Sequence, residues 1–112
     1  MSAGTYNLVV DQGSSFALDL AIKQAGTALN LTNYTGRAQV RTSHSASSAA
    51  ATFTVTKTSA ANGTLKLELS PATTAALAAG QYVYDLEIYT ANDAIVKRLL
   101  QGDLTLTPEV TR

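Results

Sequence analysis

Residues 70–89 read SPATTAALAAGQYVYDLEIY, and the run changes character at Gly80. Before it lie small, helix-compatible residues. Ser70 can cap a helix through its hydroxyl, Pro71 suits a first turn because its missing N–H would have gone unpaired anyway, and Gly80 stands where a left-handed C-terminal cap is wanted. The spacing predicts one short helix over about residues 71–79, too short to persist alone, so Leu77 must hold it against the rest of the molecule. After Gly80 the period drops to two. Tyr82, Tyr84 and Leu86 share one face while Val83, Asp85, Glu87 and Tyr89 share the other, the pattern of a strand.

The same alternation extends in both directions. Phe16, Leu18, Leu20 and Ile22 alternate with Ala17, Asp19, Ala21 and Lys23; Leu65, Leu67 and Leu69 alternate with Thr64, Lys66 and Glu68. Shorter versions carry Tyr6, Leu8 and Val10, then Ala38 and Val40 between Arg37, Gln39 and Arg41, then Phe53 with Val55, and finally Leu104 with Leu106. Asp11-Gln12-Gly13, Gln24-Ala25-Gly26, Asn62-Gly63 and Ala91-Asn92-Asp93-Ala94 supply turns, since Gly and Asn reach positive φ at little cost. Residues 42–50, TSHSASSAA, form a small-residue loop.

No long helix is available to carry a crossover between parallel strands. The expected fold class is therefore all-β: an antiparallel β-sandwich of about seven to eight strands, with the one helix placed before the penultimate hairpin. At this length residues 1–112 are expected to form a single domain. In immunoglobulin-like sandwiches a tyrosine near the start of the penultimate strand donates its hydroxyl back to the preceding corner, and Leu77-x-x-Gly80-x-Tyr82 has that spacing. We expect an immunoglobulin-like sandwich in which Leu77, Gly80 and Tyr82 make this corner, with Tyr6, Tyr82 and Tyr84 in the core.

A chain of 112 residues buries roughly two-thirds of its unfolded surface, enough for one core without metal or disulfide staples. It has no cysteine, which excludes thiolate metal sites and cysteine nucleophiles. Eight Lys and Arg balance eight Asp and Glu, so no net field draws nucleic acid or an anionic membrane, and neither is expected as a partner. The sequence nowhere reaches the ~18 consecutive apolar residues of a membrane-spanning helix. The N-terminus lacks a basic stretch followed by an apolar run, so synthesis without a signal peptide is expected. Only 14% of residues are charged, a sparse surface that suits a molecule partly covered by neighbours.

Catalytic constellations are weak. Asp85 and Glu87 share a strand face as a paired-acid site would require, but the hairpin offers them another role. With Asn92-Asp93 at its tip, Glu87 falls opposite Arg98, Tyr89 opposite Val96 and Leu86 opposite Leu99. An ion pair between Glu87 and Arg98 then contributes about 0.5 kcal/mol. His44 sits alone in the serine-rich loop, no G-x-S-x-G elbow is present, and neither a glycine-rich phosphate loop nor an acidic calcium loop occurs. No catalytic, cofactor or metal residues are expected, and the chain reads as a non-enzyme.

The ribbon over residues 81–101 is apolar on both faces. In the register above, Val83, Tyr89, Val96 and Leu100 surround Glu87 and Arg98 on the face opposite the core. That face is covered by the helix or a loop, or is exposed by a shifted register, or it is a protein contact. Under the last reading the candidate partner-contact residues are Val83, Glu87, Tyr89, Val96, Arg98 and Leu100.

Three stretches carry a family resemblance: Gly80-Gln-Tyr-Val-Tyr-Asp-Leu-Glu-Ile, then Ile-Val-Lys-Arg-Leu-Leu-Gln-Gly-Asp-Leu-Thr-Leu followed by Pro108-Glu-Val-Thr-Arg112, and upstream Leu29-Asn-Leu-Thr-Asn-Tyr-Thr-Gly-Arg-Ala-Gln-Val-Arg41. With the early Gln12-Gly13 they resemble small β-sandwich virion structural proteins of tailed bacteriophages. The resemblance implies a non-enzymatic building block of the virion, made in the host cytoplasm and present in many copies or as a homo-oligomer. Its implied partners are other virion proteins, the major capsid protein or tail components. A capsid decoration (cement) protein that stabilises joints between shell subunits is the first expectation, with the terminal segments as clamps. The alternatives are a tail, baseplate or fibre-associated adaptor, and a carbohydrate-binding module using Tyr34 and Tyr89.

Overall fold

A computed structural model of the chain describes residues 4–24 and 26–110, the side chain of Gln24 excepted. Ala25 of one predicted turn, and the outermost parts of the two terminal segments, lie outside the described residues. The strands are β1 (Gly4–Thr5), β2 (Leu8–Asp11), β3 (Phe16–Ala21), β4 (Lys23–Gln24), β5 (Thr27–Ala28), β6 (Thr35–Arg41), β7 (Ala51–Thr52), β8 (Thr54–Ser59), β9 (Thr64–Leu69), β10 (Gly80–Tyr89) and β11 (Val96–Thr107). Helix α1 (Pro71–Ala76) joins β9 to β10. The larger sheet runs β1-β11-β10-β6-β7, with β2 also on β11, and the smaller runs β3-β9-β8. The two sheets pack as an all-β sandwich.

Alternation explains where the core sits. Tyr82, Tyr84, Leu86 and Ile88 of β10 point inward, as do Ala38 and Val40 of β6 and Leu65, Leu67 and Leu69 of β9. Phe53 bridges the layers, meeting Tyr84 edge-on at a ring separation of 6.1 Å and Phe16 at 6.2 Å. Such pairs contribute about 1 kcal/mol beyond their burial.

The predicted corner is present. Tyr82 donates its hydroxyl to the carbonyl of Ala78 at 2.5 Å, and Leu77 is buried beneath it. The helix is shorter than expected, ending at Ala76, and Gly80 does not cap it. Leu77 instead leaves the helix in extended conformation (φ −86°, ψ 140°), because its side chain enters the core and its carbonyl accepts a hydrogen bond from Gln12 Nε2 at 2.8 Å. Ser70 caps the other end, accepting from the Thr73 N–H at 3.2 Å.

Gln12 also accepts from the Glu109 N–H at 3.1 Å, so the early Gln12-Gly13 and the closing Pro108-Glu109 meet beside the helix. Thr74 completes this junction. Its fully buried hydroxyl accepts from the Gly13 N–H at 3.0 Å and donates to the Ser14 carbonyl at 2.8 Å.

Not every strand is antiparallel. β1 and β2 run parallel to β11, with Leu8 beside Leu104 and Asp11 beside Thr107. The first strand therefore extends the sheet that holds the last one. Tyr6, expected inside, is 51% exposed: it lies in the break between β1 and β2 and contributes its carbonyl, which accepts from the buried Tyr84 hydroxyl.

Burial, with Tyr6 nearby adding to it, pushes the Tyr84 phenol up from its ordinary value of 10.0 to about 12. A raised folded-state value means that this contribution to stability is fully present below pH 10 and is lost as pH rises towards about 12. Alkaline titration of the melting temperature is expected to show a fall confined to that window, and Tyr84→Phe to remove this component of it. A fall of the same size in Tyr84→Phe would count against the assignment.

Candidate functional site

The candidate contact face is the outer side of the larger sheet, built where β6, β10 and β11 lie side by side. The Asn92-Asp93 tip forms as the sequence indicates: both residues take positive φ (60° and 53°), the geometry of a type I′ turn. That turn fixes Glu87 opposite Arg98 and Tyr89 opposite Val96, as expected. The register then slips between Leu86 and Glu87, so that Leu86 faces Leu100 and Leu99 is the extra residue of a bulge.

This bulge corrects one assignment. Leu99 is buried and Leu100 packs against the core beside it, so Leu100 is not part of the outer face. Val83, Glu87 and Tyr89 do lie there, half-buried, with Val96 and Arg98 exposed at its margin. Helix α1 is bound elsewhere, against residues 12–14. The loop over residues 42–50 reaches this side: Arg41 donates to the Ala46 carbonyl at 2.8 Å, and His44 lines a groove of about 260 Å³ together with Gln39, Asp85, Arg98 and Gln101.

The ion pairs also differ from expectation. Glu87 takes Arg37 of β6 as its partner, Oε1 to Nε at 2.8 Å, while Arg98 pairs with Asp85 at 3.5 Å. Arg37 reaches Asp93 at 3.5 Å as well, and its guanidinium lies over the Tyr89 ring at 4.3 Å. The Glu87 hydrogen bond raises the Arg37 pKa above its ordinary value; desolvation opposes it, and the nearby Asp93 charge adds a smaller upward push. β10 is flanked by β6 on one side and β11 on the other, so Glu87 lies opposite both Arg37 and Arg98, and it is Arg37 that makes the contact.

No protein-family model matches this sequence, and no curated protein matches it either.

Chemically, the face is a fixed lattice of paired charges with Tyr89, Val83 and Val96 between them. Each acid that could have served as a general base, Asp85 or Glu87, has an arginine against it. Among the described residues no cluster of three or more His, Asp or Glu is placed to hold a metal ion. Arg37, Gln39 and Asp85 belong to this surface although the candidate set omitted them. The signal that would have found them is the Arg37-x-Gln39-x-Arg41 alternation, once β6 is known to neighbour β10.

The two tyrosines proposed for stacking on sugars are already engaged. Arg37 covers Tyr89, and Tyr34 packs against the core with Lys97 Nζ 5.7 Å from its ring centre.

Proposed function

We propose that the chain is a non-enzymatic structural subunit of a tailed-bacteriophage virion, an immunoglobulin-like sandwich that decorates the shell and docks through the outer face of its larger sheet. The observation that carries this reading is the open face itself: tyrosine and arginine, the residues most enriched at contact hot spots, held in place by Arg37–Glu87, Arg37–Tyr89 and Arg98–Asp85. Side chains already fixed before docking lose little conformational entropy when a partner arrives. A subunit of this kind stabilises a joint because the joint opens only when the added contact is broken too.

Val96→Asp tests the face. Val96 is 43% exposed, so the substitution is expected to leave the melting temperature unchanged while lowering incorporation into purified particles by about tenfold or more. Unchanged incorporation would overturn the proposed surface. Copy number distinguishes the two virion roles: a number comparable to the shell subunits places the protein on the shell, and a number matching one ring places it in the tail. The carbohydrate-binding reading is weaker, because cations occupy a face of both Tyr34 and Tyr89.

A further inference from the structure

The smaller sheet ends in an edge that can pair with itself. β3 lies at the end of the β3-β9-β8 order, and no described strand pairs with its outer side. Ile22 directs its main chain into its own sheet: its N–H donates to the Gly63 carbonyl at 2.7 Å and its carbonyl accepts from Leu29 N–H at 3.0 Å. Successive residues of a strand turn their main-chain groups to opposite edges. Asp19 and Ala21 therefore present N–H and C=O groups outward along the open edge, and Lys23, which opens β4 and stands opposite Ala28 of β5, continues that edge on the side away from β5. All three are exposed, whereas Leu20 and Ile22 between them are half-buried. Beside them runs a groove of about 300 Å³ lined by Leu20, Ile22, Leu99, Leu100 and Gly4, an incompletely covered side of the core.

We propose that two copies of this chain join edge to edge through β3, antiparallel about a two-fold axis at Ala21. Charge selects the register. Centred on Ala21, Asp19 of each copy stands opposite Lys23 of the other, giving two symmetric ion pairs. A pairing centred on Asp19 sets like charges against each other, and one centred on Leu20 leaves both charges opposite alanine. Among the described residues neither Asp19 nor Lys23 has a salt-bridge partner within its own chain. Asp19 lies beside Lys66 of β9 in the ladder without forming one. The same register places Leu20 opposite Ile22 of the second copy, so the two open grooves face each other across the axis. The two three-stranded sheets become one of six, and the exposed edge that a sandwich must otherwise guard is removed. The inference stands apart from the virion reading, since it concerns the purified chain.

Sedimentation of the purified full chain across a wide concentration range provides the test. A concentration-dependent dimer is expected. Asp19→Lys and Lys23→Asp are each expected to raise its dissociation constant by about tenfold or more, because both ion pairs become repulsive. An equimolar mixture of the two variants is expected to associate again, since each supplies the charge the other needs. Ala21→Pro removes an outward N–H that the fold does not use, and is expected to abolish the dimer while leaving the circular dichroism spectrum native. A monomer at every concentration overturns the proposal, as does a dimer indifferent to all three substitutions. A wild-type monomer that instead takes up a strand from another protein also overturns it.

Discussion

Gly63→Ala is expected to lower the unfolding free energy by about 3 kcal/mol or more. Gly63 is buried at φ +71°, and a methyl group there would stand 2.6 Å from the Leu29 carbonyl oxygen and 2.7 Å from that of Ile22. The left-handed conformation alone costs an L-residue about 1–2 kcal/mol. The contacts are with backbone rather than with flexible side-chain ends, so β5 and the end of β3 would have to move apart. That movement also endangers the hydrogen bond from Ile22 N–H to the Gly63 carbonyl. Urea denaturation measures the loss directly. A loss below about 1 kcal/mol would mean that this junction is far softer than its packing indicates.

Thr74→Val is the second large effect, with an expected loss of about 3 kcal/mol. Valine keeps the shape of threonine and removes only the hydroxyl. Two main-chain groups of this partly buried junction then lose their partner, the Gly13 N–H and the Ser14 carbonyl, at a cost of up to about 1–3 kcal/mol each. Thr74→Ser keeps the hydroxyl and is expected to retain most of the stability. Equal losses in the two variants would show that the methyl group, and not the hydrogen-bonded junction, holds helix α1 to the turn at residues 12–14.

What the sequence made legible is what neighbours along the chain decide. The alternation in Tyr82, Tyr84, Leu86 and Ile88 placed β10 and its inner face, and the Asn92-Asp93 turn set Glu87 against Arg98 and Tyr89 against Val96. The corner at Tyr82 followed from spacing alone. The misreadings arise where distant residues compete. Gln12, 65 positions away from Leu77, helps end the helix early. Arg37 captures Glu87 from a strand 50 positions away, leaving Arg98 to Asp85. The bulge at Leu99 had no local marker: Leu99 and Leu100 are both apolar, so alternation could not say which one was the extra residue. Thr74 looked like any threonine of a short helix until Gly13 and Ser14 were seen to close over it.

The parallel run of β2 along β11 has a mechanical consequence. A pull applied to the two ends of the chain acts along these strands in opposite senses, sliding one past the other. The four paired positions from Leu8–Leu104 to Asp11–Thr107 then bear the load in shear and must yield nearly together. A hairpin pulled open from its ends would instead peel one bond at a time. Traction between these two strands is thus met by all four positions at once, and parting them would also part the core pair Leu8 and Leu104.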